Sequence, residues 1–291
     1  MSYQTVGLIG KTDHEGSRVS LNALVTELKE RNCQILVEAR IKEELDDRSL
    51  EVCSLEELGE RSELAIVVGG DGYMLGAARI LANHNTDVVG VNRGNLGFLT
   101  DINPEDISRQ ITNIFEGRVH REERFLLEAT VVRDGENQET NSAVNEIVLH
   151  HGKVAHMMEF ELYIDGLFVF SQRSDGLIVA TPTGSTAYSL SGGGPILMPQ
   201  LDALTLVPMF PHTLSSRPIV VDANSEIYLK VSKVNTDNLQ VSCDSHIVIS
   251  LQPGDEVRIR KNPNKLTLVH PKDYNYFNVL RTKLNWGSKL Y

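Results

Sequence analysis

Cysteine is scarce: Cys33, Cys53 and Cys243 are the only three in 291 residues, far apart and without a CxxC pair. An odd, sparse count excludes a disulfide framework and points to reduced thiols that serve packing. Positive charge is also short, 28 Lys and Arg against 39 Asp and Glu, for a net charge of −11. That balance argues against a main partner such as DNA, RNA or an anionic membrane surface, because phosphate backbones need clustered cations. It leaves room for one small phosphate-bearing ligand, which backbone N–H groups hold without surplus Lys and Arg. No apolar run approaches the roughly 18–20 residues of a membrane span. The first ten residues have neither a basic stretch nor a long apolar one, so no signal peptide is read. The expectation is a cytoplasmic chain with no nucleic-acid and no membrane partner.

Several signatures of chemistry are missing too. Gly10-Lys11-Thr12 resembles the end of a P-loop, but Thr5 stands where that motif needs glycine. No G-x-G-x-x-G follows the first apolar run, His14-Glu15 lacks the second histidine of H-E-x-x-H, and no G-x-S-x-G elbow occurs. His150, His151 and His156 lack a Cys or carboxylate at familiar ligand spacing, so no protein metal site is expected.

The length exceeds one ordinary compact core. Over the first 122 residues, strand-like runs alternate with helical stripes. Val6–Ile9, Ile35–Val37, Leu64–Val68 and Val88–Val91 read as strands, the third apolar throughout and so buried on both faces. Leu21, Leu24, Val25 and Leu28 form one stripe, and Met74, Leu75, Ala78 and Leu81 another. Ser54 with Glu57 spells a capping box, and Asn103-Pro104 reads as the start of a helix carrying Ile107, Ile111 and Ile114. This order predicts an α/β domain with a Rossmann-like parallel sheet over 1–122. From 123 to 270 the texture turns to short alternating strands, with Asp134-Gly135, Asp165-Gly166 and Asp175-Gly176 as turn or hairpin signals. That predicts a β-rich domain of paired sheets. Tyr276, Phe277, Leu280 and Leu284 lie at helical spacing, so the tail 271–291 is expected to return to the first domain.

Four stretches carry chemistry. Val68-Gly69-Gly70-Asp71-Gly72 is a buried strand running into glycines around one carboxylate. In an open α/β sheet, ligands bind off the carboxyl ends of strands, and a following helix aims its first N–H groups at phosphate. A turn serving only the backbone is the plain alternative, which the glycine density outweighs about two to one. Asn92–Leu99, including Asn95, follows the next strand and suits a second wall. Asn145-Glu146 interrupts an apolar strand, where alternation buries at least one of the pair; a solvent-facing edge pair is equally compatible. Arg173, Asp175 and Gly176 lead through a buried strand, Leu177–Ala180, into the hydroxyl-rich Thr181–Ser191, more hydroxyls than one helix cap requires.

In these stretches, their order and their spacing, the chain resembles the NAD kinases, closely so the gammaproteobacterial ones. Gly69–Gly72 alone is shared with diacylglycerol and sphingosine kinases; Thr181–Tyr188 narrows the likeness. The resemblance implies an α/β domain, a domain of paired β-sheets, a cleft between them, and a homotetramer whose subunits share the NAD site. It implies that ATP phosphorylates the 2′-hydroxyl of the adenosine ribose of NAD, with Asp71 as general base and a divalent cation, Mg²⁺, carried with ATP. Gly69, Gly70, Gly72 and Asn95 would form the phosphate loop. Asp71, Gly72, Asn145, Glu146, His156, Arg173, Asp175, Thr186, Ala187, Tyr188, Ser189, Leu190, Ser191 and His246 would hold NAD. At 246 relatives often carry glutamine, which donates and accepts hydrogen bonds as His246 does. A lipid kinase of the same superfamily and a non-catalytic dinucleotide sensor are the competing readings. The acidic charge disfavours the first and the intact glycine loop with Asp71 the second.

Overall fold

The structure, a computed structural model, describes residues 3–94, 97–153, 156–236 and 238–287. They divide into two compact units, one of 1–123 with 265–291 and one of 124–264. No helix of the described residues is long and apolar enough to cross a membrane.

The first unit opens β1 (Thr5–Gly10), α1 (Glu15–Glu30), β2 (Gln34–Glu38), β3 (Glu51–Cys53), α2 (Leu55–Arg61), β4 (Leu64–Gly69), α3 (Asp71–Leu81), β5 (Asp87–Asn92) and α4 (Ile107–Phe115). The strands are parallel in the order β3-β2-β1-β4-β5. Every residue of β4 is buried, as its uninterrupted apolar run requires. Leu64, Ile66 and Val68 pack with the α1 stripe, Leu21, Leu24, Val25 and Leu28, and with Ile107, Ile111 and Ile114 of α4. Ser54 and Glu57 form both halves of the capping box at α2. The Asn103 side chain caps nothing; Pro104 instead starts a single 3₁₀ turn that leads into α4.

The second unit is built from β6 (Val119–Arg133), β7 (Glu136–Ala143), β8 (Glu146–His151), β9 (Met158–Ile164), β10 (Leu167–Ser174), β11 (Gly176–Ala180), α5 (Tyr188–Ser191), β12 (Ala203–Met209), β13 (Ile219–Asp222), β14 (Ile227–Val231), β15 (Leu239–Cys243) and β16 (Ile247–Leu251). β17 (Glu256–Pro271) then runs back into the first unit, where Thr267 and Leu268 pair in parallel with Asp87 and Val88, and α6 (Tyr276–Leu284) follows. The return begins at Lys265, inside β17, because the strand continues unbroken between its two sets of partners.

One antiparallel sheet of the second unit runs β10-β9-β14-β17 and another β13-β12-β11-β8-β15-β16. Their facing side chains share one core, Leu162, Ile227, Leu229, Val257 and Ile259 from the first with Ile147, Leu149, Leu177, Val179 and Val241 from the second. Val148 and Ile178, one residue out of phase, pack on the opposite face of the second sheet.

Two of the three Asp-Gly pairs close hairpins. Asp134 and Gly135, like Asp165 and Gly166, have positive φ at both positions, the two-residue turn that matches strand twist. Asp175-Gly176 is different: it links β10 and β11, which lie in different sheets. Gly176 is extended there, and a Cβ on it would strike Leu149 O of the neighbouring strand. Close approach between strands, not a turn, requires this glycine.

Candidate functional site

The glycine run after β4 forms the entry to α3. Gly70 is the N-cap, with φ −102° and ψ −179°, and no side chain caps the helix. Tyr73 N and Met74 N donate to Gly70 O, which leaves the Asp71 and Gly72 amides without an intrahelical acceptor at the helix start. A Cβ at Gly69 would press on Tyr73 Cβ at 3.1 Å, whereas Cβ atoms at Gly70 and Gly72 would meet nothing within 4 Å. Gly69 serves packing. Gly70 and Gly72 leave open space in front of the helix N-terminus, room for a group that approaches the backbone closely.

Asp71 begins α3 and turns its half-buried carboxylate toward the segment after β5. Its Oδ2 accepts from Phe98 N at 2.8 Å, and its Oδ1 accepts from Leu99 N at 3.1 Å and from Thr100 Oγ1 at 3.3 Å. Gly97 is what makes this possible, since a Cβ there would fall inside contact distance of Asp71 Oδ1 and Thr100 Oγ1. Gly90 acts from below. A Cβ on it would lie 2.7 Å from Leu99 O and Thr100 Cα, so only glycine lets this segment lie flush on β5. Ile102 N then donates to Gly90 O at 3.1 Å, and Asn92 N to Ile102 O at 2.9 Å. Arg93 N is tied to Gly69 O at 2.9 Å, which joins the two loops. The Arg93 guanidinium donates to Ser20 Oγ, and burial holds its pKa below the ordinary value. Asn95 lies outside the described residues.

In the second unit the strand predicted through Asn145 is broken: β7 ends at Ala143 and β8 begins at Glu146. Asp244 causes the break. Its Oδ2 accepts from Val144 N at 2.7 Å, and its Oδ1 from Asn145 N at 2.7 Å and Glu146 N at 3.2 Å. Thr181 clamps the other side, with its N donating to Asn145 O at 2.9 Å and its hydroxyl to Val144 O at 2.7 Å. Gly184 completes the clamp, because a Cβ there would collide with Asn145 O. Asn145 is half-buried. Glu146 is buried, and burial followed by the nearby Asp244 charge pushes its carboxyl up to about 8, against the Tyr188 backbone N–H. One of its oxygens, Oε2, has no hydrogen-bond partner among the described residues.

The hydroxyl-rich stretch divides into two groups. Thr181 also accepts from Gly184 N, and Ser185 Oγ donates to Pro182 O and accepts from Leu197 N. The Thr186 hydroxyl donates to Thr183 O, and Ser189 is fully buried. Much of the hydroxyl excess thus satisfies the tight 3₁₀ turn at 184–186 and α5. Tyr188 and Ser191 are exposed, and Ala187 and Leu190 are half-buried.

His156, Asp175 and Tyr188 meet around a cavity of 400 Å³ that His150, Lys153 and Ser245 also line. The His156 ring stacks on His151 at 4.9 Å between centroids. Tyr188 and Ser191 border a neighbouring, more apolar cavity of 500 Å³ beside Phe210 and Pro211. Arg173 lies apart from His156 and Asp175, in a 570 Å³ cavity with His212 and Arg217. His246 is exposed and its Nδ1 donates to Asp244 O at 2.6 Å. Among the described residues no three His, Cys, Asp or Glu side chains converge as a metal site.

Reading the sequence missed Asp244, Gly97 and Thr100 as supports. Asp244 meets its partners about a hundred positions away, and Thr100 meets Asp71 across 29, so no local pattern announces either. Gly97 stood in the stretch singled out after β5, but its necessity depends on where the Asp71 carboxylate points.

An α/β sheet whose strand ends in glycines, an uncapped helix start and a carboxylate held beside it are an arrangement that suits a nucleotide phosphate. Residues 6–119 match the family model for the ATP-NAD kinase N-terminal domain, and 144–271 that for the ATP-NAD kinase C-terminal domain. The chain belongs to the ATP-NAD kinase family. It is 60% identical over 290 residues to the NAD kinase of Pseudoalteromonas translucida and 57% identical over 289 to that of Colwellia psychrerythraea, covering 99% of both chains in each case. The yeast NADH kinase solved with NADH superposes with a TM-score of 0.90 at 26% identity, over 100% of this chain and 90% of that one. An Archaeoglobus fulgidus NAD kinase solved with ATP gives 0.76 at 25%, over 97% and 100%.

Proposed function

We propose that the protein transfers the γ-phosphoryl group of ATP to the 2′-hydroxyl of the adenosine ribose of NAD, giving NADP and ADP, with Asp71 as general base. A ribose hydroxyl is a poor nucleophile near neutrality, so a fixed carboxylate must take its proton as oxygen attacks phosphorus, worth about 10²–10⁴-fold. The observation that carries this reading is the fixing of Asp71 by Phe98 N, Leu99 N and Thr100 Oγ1 beside the uncapped start of α3. Two of those donors occupy Oδ1 and one Oδ2, which leaves a lone pair on Oδ2 to accept a hydroxyl proton.

The triphosphate is assigned to the amides after Gly69 and the open positions at Gly70 and Gly72, and Asn95, outside the described residues, is assigned to the same group by the family resemblance. Mg²⁺ enters as part of the ATP substrate, and no step is routed through a metal held by the protein. Asn145 and Glu146 are assigned to the adenosine half of NAD, His156, Arg173 and Asp175 to the nicotinamide half, and Thr186, Ala187, Tyr188, Leu190 and Ser191 to the segment that wraps the dinucleotide. Ser189 supports that segment from inside. His246 is given a minor part. The family resemblance adds a homo-oligomer, a tetramer, in which two subunits share each NAD site. The cytosol is the assigned compartment.

Asp71→Asn tests the base. The variant is expected to stay folded and bind NAD while kcat falls at least about 10²-fold. Turnover near wild type removes Asp71 from that role. NADP formation from ATP and NAD, with no phosphorylation of diacylglycerol, separates this reading from a lipid kinase, and any turnover separates it from a sensor.

A further inference from the structure

His270 is buried to 1% exposure near the end of β17, and its ring is enclosed by charged and aromatic groups. Nδ1 lies 2.8 Å from Asp101 Oδ2, and Nε2 lies 3.6 Å from Glu122 Oε2. Tyr274 stacks on one face at 3.9 Å between centroids, and His120 is stacked farther off at 6.4 Å. An ionised carboxylate only accepts, so Nδ1 carries the proton toward Asp101. The other Asp101 oxygen, Oδ1, is buried without a hydrogen-bond partner among the described residues.

Asp101 directly follows the three residues that hold Asp71. Among the described residues, Phe98, Leu99 and Thr100 supply the hydrogen bonds to the Asp71 carboxylate, and Ile102 anchors the far side of the segment to Gly90 and Asn92. Between those two anchors the Asp101 side chain ties the segment to His270, while the Phe98 ring adds contacts with Tyr276 and Lys283 of α6. A buried charge–imidazole hydrogen bond has a fixed direction and little freedom, which is what positioning at sub-ångström tolerance needs.

We propose that His270 is a positioning residue for phosphoryl transfer: through Asp101 it fixes the 98–100 segment that orients the Asp71 carboxylate. The role rests on the reading of Asp71 as the base. His270 touches no substrate in this account, and its effect falls on kcat rather than on NAD affinity, because a displacement of the base by about 1 Å slows proton transfer about 10²-fold while the dinucleotide contacts stay in place.

The experiment measures kcat, KM for NAD and thermal unfolding of the full chain for two pairs of variants, with Asp71→Asn in parallel. His270→Gln moves its amide toward Glu122 and removes the donor to Asp101, and Asp101→Ala removes the acceptor. Both are expected to lower kcat at least about 10-fold with KM for NAD within about threefold. His270→Asn, whose amide replaces Nδ1–H, and Asp101→Asn, which keeps an acceptor oxygen, are expected to recover most of that kcat. The double variant His270→Gln/Asp101→Ala is expected to fall no further than either single one, since both cut the same link. Lowered melting temperature with unchanged kcat in folded Asp101→Ala, or multiplicative losses in the double variant, overturns the positioning role. If Asp71→Asn turns over normally, the base assignment fails and this role fails with it; normal turnover of Asp101→Ala beside an inactive Asp71→Asn removes the positioning role alone.

Discussion

Replacing Gly97 by alanine adds one methyl group next to the site. The new Cβ would lie 3.0 Å from Asp71 Cγ and closer still to Asp71 Oδ1 and Thr100 Oγ1. The obstacle is not the end of a long flexible side chain. Asp71 has one short carboxylate, anchored on the first residue of α3 and held by two backbone amides. Relief requires the carboxylate, or the 97–100 segment, to shift by about 1 Å, and misplacement on that scale costs about 10² in rate. Overpacking adds about 1–3 kcal/mol of destabilisation, small enough for the chain to stay folded. The expected result is a folded protein with kcat lowered about 10²-fold, an unchanged affinity for NAD and a modestly lowered melting temperature. Steady-state kinetics, calorimetric titration with NAD and a thermal melt measure the three quantities. A folded Gly97→Ala protein with wild-type kcat would refute the reasoning, because it would mean that the carboxylate's position is irrelevant to turnover.

Glu146 makes stability depend on pH. Folding raises its carboxyl from 4.5 to about 8, so between those values the folded chain keeps a proton that the unfolded chain has lost. Its contribution is therefore complete below about pH 4.5 and is lost as pH rises through 8, with a slope of at most about 1.4 kcal/mol per pH unit. Urea unfolding from pH 5 to 9 is expected to show that decline, and Glu146→Gln to flatten it. Asp244→Ala strips the acceptor from Val144, Asn145 and Glu146 N–H groups and is expected to cost at least about 3 kcal/mol in the same assay; a loss below 1 kcal/mol would mean the clamp is not what shapes the break before β8. Ser54→Ala removes half of the capping box at α2 and is expected to cost about 1 kcal/mol with kcat unchanged.

Most of the first unit is written locally. The helical stripe of α1, the unbroken apolar run of β4 and the Ser54/Glu57 pair each depend on residues a few positions apart, so periodicity and capping chemistry reveal them. The Asp-Gly hairpins at 134 and 165 are legible for the same reason, since positive φ is a property of the two residues themselves. Asp175-Gly176 looks identical in sequence and does something else, because Gly176 is needed by Leu149 of another strand. The hydroxyls of Thr181 and Ser185 likewise look like ligand contacts until their acceptors, Val144 O and Pro182 O, are seen.

The sequence by itself determined which segments become parallel strands and helices, and where glycines and a carboxylate cluster off the end of β4. Only the tertiary structure decided that the Asp71 carboxylate is held by residues 98–100, that Gly97 and Gly90 are empty to admit it, and that Asp244 breaks the strand at Asn145. The physical reason is range. Secondary structure follows from torsions and spacing within a turn or two, whereas a side chain's hydrogen bonds and the volume it may occupy belong to whichever distant backbone the fold brings beside it.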